Sequence, residues 1–450
     1  MAVTVLQQIL PSASQYVMLI PMNVLQQLRR AALCQRRTRP LLAIGSFTLV
    51  GVLLIVMSRA ATTVYTTEPE SGSKAGLVQT IGNAAASGGQ AVKFGSAGGS
   101  CQAGTLDLSC WPNTATTGYQ NAPGYPGTAG VADPTKLTTG SSGSNTCPLT
   151  FQSNHTYSFC KYTGGIDIGL PNNHLTNVHF VGFLLEDNGP INDSPMIKLY
   201  CDNNCTMDYF TIKPANLNTP DIPAPKHGTS YAKSYGSVLG AGWGAYNTYA
   251  RGFTLSHSDI WGFQSGIILG GTNTAATPNV IQDNYLHDQG QCMEIPGCPT
   301  HADGIGMVDT GGTAQYITIN HNNMPFIQDN TNNIAFQEGT YDHLTITNNI
   351  LSGDGYTVAI WDTSTNTTFT GNIWTNYGQH YFGVNYGRNF WDRPGSTWAH
   401  NHFVWDPSGA NPFYEDGPGN GNAGPITPAD SGKCWVPSGL SATDYGGGSC

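Results

Sequence analysis

The sequence predicts an all-β fold: a right-handed parallel β-helix solenoid with an N-terminal membrane segment. The first observation is a repeat. FTLSHSDI from Phe253, VIQDNYL from Val280, ITINHNNM from Ile317, LTITNNIL from Leu344, TTFTGNIW from Thr367 and TWAHNHF from Thr397 share one pattern. Each has an apolar residue, two spacers, a small polar residue, a spacer and a second apolar or aromatic residue. The small polar residues are Ser258, Asn284, Asn322, Asn349, Asn372 and Asn401, and looser copies place Phe183 and Phe210 there. Successive anchors advance by 27, 48, 26, 38, 27, 23 and 29 residues. Repeats of that length mark units that bury an apolar face only against their neighbours. The second observation is period-two alternation inside each unit, which means strands and not helices. The third is composition: 10% charged residues with 56 Gly and 27 Pro suit stacked strands joined by tight turns.

Residues 1–40 form a basic N-terminus, with Arg29, Arg30, Arg36, Arg37 and Arg39 just before an uncharged apolar run at 41–57. About 17–25 apolar residues span a bilayer, so this run is at the short end. The preceding arginines place the N-terminus in the cytoplasm and the rest outside. A signal anchor and a signal peptide cut near Ala60 or Ala61 both fit. The expected location is therefore extracellular or at the cell surface, with a membrane contact through 41–57 if it is not cleaved. The net charge of −10 gives no bulk attraction for nucleic acid.

Beyond the apolar run the cysteines fall in five close pairs: Cys101 and Cys110, Cys147 and Cys160, Cys201 and Cys205, Cys292 and Cys298, Cys434 and Cys450. Close pairing suggests local loop staples in an oxidising compartment. A zinc site fits less well, because no pair has CxxC spacing. Residues 58–150 read as a Gly/Ser-rich linker and a cap over the first coil, 151–406 as the β-helix, and 407–450 as a loop-rich, disulfide-tied tail. Two coils carry large insertions, between Ile212 and Tyr249 and between His287 and Thr313.

The second insertion concentrates chemistry. HDQGQCMEIPGCPTHADGIGMVDTGG holds His287, Asp288, Glu294, His301, Asp303 and Asp309, with Cys292 and Cys298 placed to pinch it closed. Such a loop offers general acids, general bases and oxygen ligands; a polar turn whose Asp and His cap backbone groups is the plainer alternative. Overlaying IGMVD from Ile305, IAFQE from Ile334 and VAIWD from Val358 stacks Ile305, Ile334 and Val358 inside, and likewise Met307, Phe336 and Ile360. Asp309, Glu338 and Asp362 then form one column. Parallel strands about 4.8 Å apart would space those carboxylates at roughly 5 and 10 Å. That range brackets the pairs used in glycoside hydrolysis. Like charges so close raise one pKa or recruit a cation such as calcium; turn acids that splay apart are the alternative. Trp361 has outward parity beside this column and could stack on a sugar. Tyr386 takes the carboxylate place in the next coil, followed by Arg388.

The coil pattern resembles the pectate-lyase-like superfamily of parallel β-helix proteins over roughly residues 151–406. His301-Ala302-Asp303-Gly304-Ile305 is similar to the Asn-Thr-Asp-Gly-Ile motif of polygalacturonase-type hydrolases, and the resemblance implies a catalytic role for Asp303. That family's Asp-Asp, Gly-His-Gly and Arg-Ile-Lys motifs are absent. The expectation is an exported carbohydrate-active enzyme acting on a polysaccharide or cell-wall glycan. Asp303, Asp309, Glu338 and His301 would do the chemistry, and Trp361, His287, Arg388 and Tyr386 would bind substrate. His301 and His287 would stand at the rim of the groove. Hydrolysis requires no cofactor. Two alternatives stay open. One is a calcium-assisted uronate lyase, with the metal on Asp303, Asp309 and Glu338 and Arg388 or Lys226 as base. The other is a surface adhesin that binds glycan without cleaving it.

Overall fold

The structure is a computed structural model that describes residues 78–82, 90–94, 106–188, 195–215, 237–241, 249–263, 265–288, 303–307, 313–325, 332–336, 339–352, 356–360, 364–377, 397–408, 413–414 and 425–433. The chain divides into two compact units, residues 1–93 and 94–450. At the end of the first, Val78–Gly82 and Gln90–Phe94 form a two-stranded sheet. The second is an all-β parallel solenoid, and the only helices among its described residues are short 3-10 turns. The apolar run at 41–57 lies outside the described residues. Among those described, no helix is long and apolar enough to cross a membrane.

Each coil contributes to three parallel ladders, here called the first, second and third sheets in coil order. Phe253–Ser256, Asp259–Trp261 and Ser265–Leu269 are one coil's three strands. The second sheet has ten strands, and the long strand Pro195–Asp208 joins the third sheet to the first. Inside, residues of like parity stack. Leu255, Ile281, Ile319, Ile346, Phe369 and Trp398 form one buried column of the first sheet. In the second sheet Ile260 stacks on Leu286, and Met324, Leu351, Trp374 and Phe403 continue in register. All are buried. The sequence reading of Leu286, Met324, Leu351 and Trp374 as interior residues is the arrangement found.

The corner between the first and second sheets explains the repeat. The residue before each anchor is left-handed: φ is 47° at His257, 58° at Asp283, 54° at His321 and Asn348, and 56° at His400. That sharp reversal turns the next side chain under the corner, where buried polar atoms need partners. Asparagine supplies them in series. The Asn322 amide N–H donates to Asn349 Oδ1 at 3.0 Å, and the Asn349 amide N–H to Asn372 Oδ1 at 3.0 Å. Each Asn Nδ2 also donates to a carbonyl of the preceding coil, as from Asn349 to Ile319 O at 3.0 Å. Ser258 and Asn284 continue this ladder upward, and Asn401 ends it.

Residues 106–139 run across the outside of the second sheet. Trp111 packs on Ile350, Ile373 and Val404. Asn323 Nδ2 donates to Pro112 O at 2.8 Å, and the Gly118 N–H donates to His257 O at 2.9 Å. Tyr119 packs on Leu184, and Thr138–Thr139 adds a short parallel strand beside Cys160–Lys161. This strap buries outward apolar residues that would otherwise face water. Disulfides Cys147–Cys160 and Cys201–Cys205 join residues 13 and 4 apart, as the local pairing predicts. Cys110 is also disulfide-bonded. Cys101, Cys292, Cys298, Cys434 and Cys450 lie outside the described residues.

Candidate functional site

The third sheet carries the strands that lead into the carboxylate column. Asp303–Met307 pairs with Asn332–Phe336, which pairs with Tyr356–Ile360. Ile305, Ile334 and Val358 align, as do Met307, Phe336 and Ile360. This is the register read from sequence. Ile305, Ile334 and Val358 are fully buried, so slippage by one residue would expose an entire column. Gly306 lets the coils approach: a Cβ there would stand 1.9 Å from the Ala335 carbonyl oxygen. The buried Asn333 brackets Ser352 of the following coil, accepting from its N–H at 2.9 Å and donating to its carbonyl at 3.2 Å.

Asp303 is the first residue of its strand and pairs with Asn332 in the ladder. His301, Asp309, Glu338, Trp361, Tyr386 and Arg388 lie outside the described residues, as does Lys226. His287 is described, and it is buried. Its side chain is 5% exposed, where the sequence reading puts it at the rim of a groove. Both ring nitrogens are engaged: Nε2 meets Asp259 Oδ1 at 2.8 Å and Nδ1 meets Asp288 Oδ2. The Tyr285 ring stacks on it at 3.9 Å. Burial disfavours the imidazolium, but the Asp288 and Asp259 carboxylates outweigh that and raise the His287 pKa to about 9.

A charged row continues from this triad along the outward side of the second sheet. Trp261 pairs with His287, and Lys213 pairs with Glu186. Lys213 Nζ lies 5.9 Å from the Trp261 ring centre and 3.1 Å from Glu186 Oε1. Lys161 Nζ meets Glu186 Oε2 at 2.8 Å. Burial pushes the Glu186 carboxyl up, while hydrogen bonds from Lys161 and Lys213 more than offset this and hold it below the usual range. In the sequence alignment Glu186, Lys213, Trp261 and His287 all stand three places after an anchor. That shared offset was the available signal. Asp259 gave none, because its partner His287 is 28 residues away.

With both nitrogens occupied, His287 fixes the strand end where the second insertion begins. The triad should therefore make stability depend on pH. The folded pKa of about 9 exceeds the roughly 6.5 of an unfolded histidine, so the contribution is complete below the lower value. It is lost as pH rises through about 9, an effect on the order of 3 kcal/mol. Melting temperature should fall across this window in the native chain. His287→Gln should melt lower at neutral pH and lose that component of the slope. An unchanged slope in the variant would remove the triad's role.

Among the described residues, no group of three or more His, Cys, Asp or Glu side chains is placed to hold a metal ion. Comparison with protein-family models, curated proteins and solved structures finds no match.

Proposed function

We propose that this chain is an exported carbohydrate-active enzyme that cleaves a polysaccharide by hydrolysis, using paired carboxylates in the manner of pectate-lyase-like β-helix enzymes. The observation that carries the reading is the third-sheet register. Met307, Phe336 and Ile360 pair across three coils, and Asp309, Glu338 and Asp362 each follow by two residues in sequence. Adjacent coils about 4.8 Å apart would bring neighbouring carboxylates to the separation that acid/base or nucleophilic glycoside cleavage needs. One carboxylate would stay protonated as general acid while its neighbour remains charged.

Asp303 would stand at the start of the first of these strands, and the His287 triad would hold the base of the loop between them. Trp361, Tyr386 and Arg388 would meet the sugar chain. A calcium ion, in the lyase alternative, would take Asp303, Asp309 and Glu338 as its ligands. Export is supported by the arginine-flanked apolar run and by local disulfides, which persist in oxidising compartments. The test compares the native chain with Asp309→Asn and Glu338→Gln for release of new reducing ends from polysaccharides.

A further inference from the structure

The outward face of the first sheet carries a column of threonines that polysaccharide cleavage does not use. Register runs unbroken from Thr156 to Thr397 through nine strands, and seven of the nine positions are threonine. His179 and Val280 are the two exceptions. The column is solvent-facing along its whole length, exposed or half-buried. Among the described residues, the hydroxyls of Thr254, Thr318, Thr345 and Thr368 make no hydrogen bond within the protein.

Strand propensity favours threonine on any open sheet face, but it does not account for the difference between columns. Two residues further along the same strands, the neighbouring column from Ser158 to Ala399 has only Thr347 and Thr370. The two columns share one sheet and one solvent. Threonine is thus concentrated in a single line of hydroxyls and methyls, about 4.8 Å apart and about 40 Å long.

The chemistry of the face selects its partner. Neither column contains an aromatic ring other than His179, and Tyr316 and His343, two residues earlier on the strands of Thr318 and Thr345, stack on each other at 4.4 Å, so stacking on sugars has little to use. These two columns have no Lys or Arg to attract an acidic polymer, and their one carboxylate, Asp208, is held by Ser256 and His257; Asp342, earlier on the strand of Thr345, is held by His343, Thr365 and Asn366. What remains is a line of hydroxyls, each beside a methyl group; Thr206 Oγ1 meets His179 Nδ1 at 2.7 Å, and those of Thr254, Thr318, Thr345 and Thr368 face out unbonded. Water oxygens in hexagonal ice repeat at nearly the same interval. The geometry points to ice as the partner: the threonine column orders a row of water molecules that merges with the crystal surface. Each hydroxyl would exchange hydrogen bonds with a lattice water, and the methyls would fill the gaps between rows.

The test uses the purified full chain in an ice-recrystallisation assay and in a thermal-hysteresis measurement. The native chain should hold ice grains small. Thr345→Lys, in the middle of the column, should need about tenfold more protein for the same effect. Ser141→Lys, exposed on another part of the surface, should match the native chain. Circular dichroism melts identify any variant that fails to fold, and Thr318→Lys then replaces it. The proposal is overturned if the native chain restrains ice no better than serum albumin, or if Thr345→Lys and Thr318→Lys both act at native concentration. Retention on crystalline cellulose or chitin that depends on Thr345, without any effect on ice, would also overturn it. Polysaccharide cleavage should be the same in Thr345→Lys, so failure here is separable from failure of the hydrolase reading.

Discussion

Replacing Asp309 with asparagine should lower polysaccharide turnover by roughly 10²–10⁴-fold and leave the unfolding curve in place. Asparagine keeps the size and planar shape of the side chain but carries no charge and supplies no acidic proton. The residue follows Met307 by two places, and Met307 is fixed against Phe336 of the next coil. A carboxylate at Asp309 would meet Glu338 only if the register holds, which the buried Ile305 and Ile334 enforce. Glu338→Gln should therefore lose activity to a similar degree, and the double variant should lose little more, because the proposed pair would act as a unit. The decisive comparison is turnover per folded molecule. If both variants lose stability while that quantity is unchanged, the two residues are turn acids and the chemistry lies elsewhere.

The largest expected loss of stability comes from Asn349→Ala. The Asn349 side chain accepts from the backbone N–H and the Nδ2 of Asn322, both at 3.0 Å. It donates to Ile319 O at 3.0 Å and to Asn372 Oδ1 at 2.9 Å. Alanine leaves these buried groups without their partner. Each orphaned group costs about 1–3 kcal/mol, partly shared because Asn322 and Asn372 keep other bonds, so a loss of roughly 3–5 kcal/mol is expected. Asn349→Asp should be no better, since a buried carboxylate would face both Ile319 O and Asn372 Oδ1. Asn401→Ala should cost less, because Asn401 ends the ladder and passes no bond to a further Asn. Urea unfolding of the three variants checks the order. A loss under about 1 kcal/mol for Asn349→Ala would mean that the ladder marks the corner without holding it.

The parts of the fold that are written locally were legible. Alternation, and Asn at a fixed offset, describe the strand and the corner within eight residues, and the apolar identities of Ile305, Ile334, Phe336 and Val358 leave one register that buries them all. The left-handed corner residues were only partly legible: Asp283, His321, Asn348 and His400 are of types enriched at positive φ, whereas Tyr209, which faces His257, is a poor choice by propensity alone. Their rings stack at 4.7 Å, a contact that exists only once the coils are stacked. The strap was invisible for a similar reason. Pro112 meets Asn323 across 211 residues, and no periodicity links them. The buried triad lies between. His287 and Asp288 stood out in a chain poor in charge, but their burial depends on Asp259 in the preceding coil and could not be read from the loop.

Product chemistry tests the hydrolase account most directly. The purified chain would be incubated with plant, algal and bacterial-wall polysaccharides, and each digest read for new reducing ends and for ultraviolet-absorbing unsaturated products. Paired-carboxylate hydrolysis predicts new reducing ends on at least one polymer, no unsaturated product and no dependence on a chelator. Unsaturated products that vanish when calcium is removed would contradict hydrolysis and indicate elimination. Binding to a polymer without any new ends would contradict catalysis altogether.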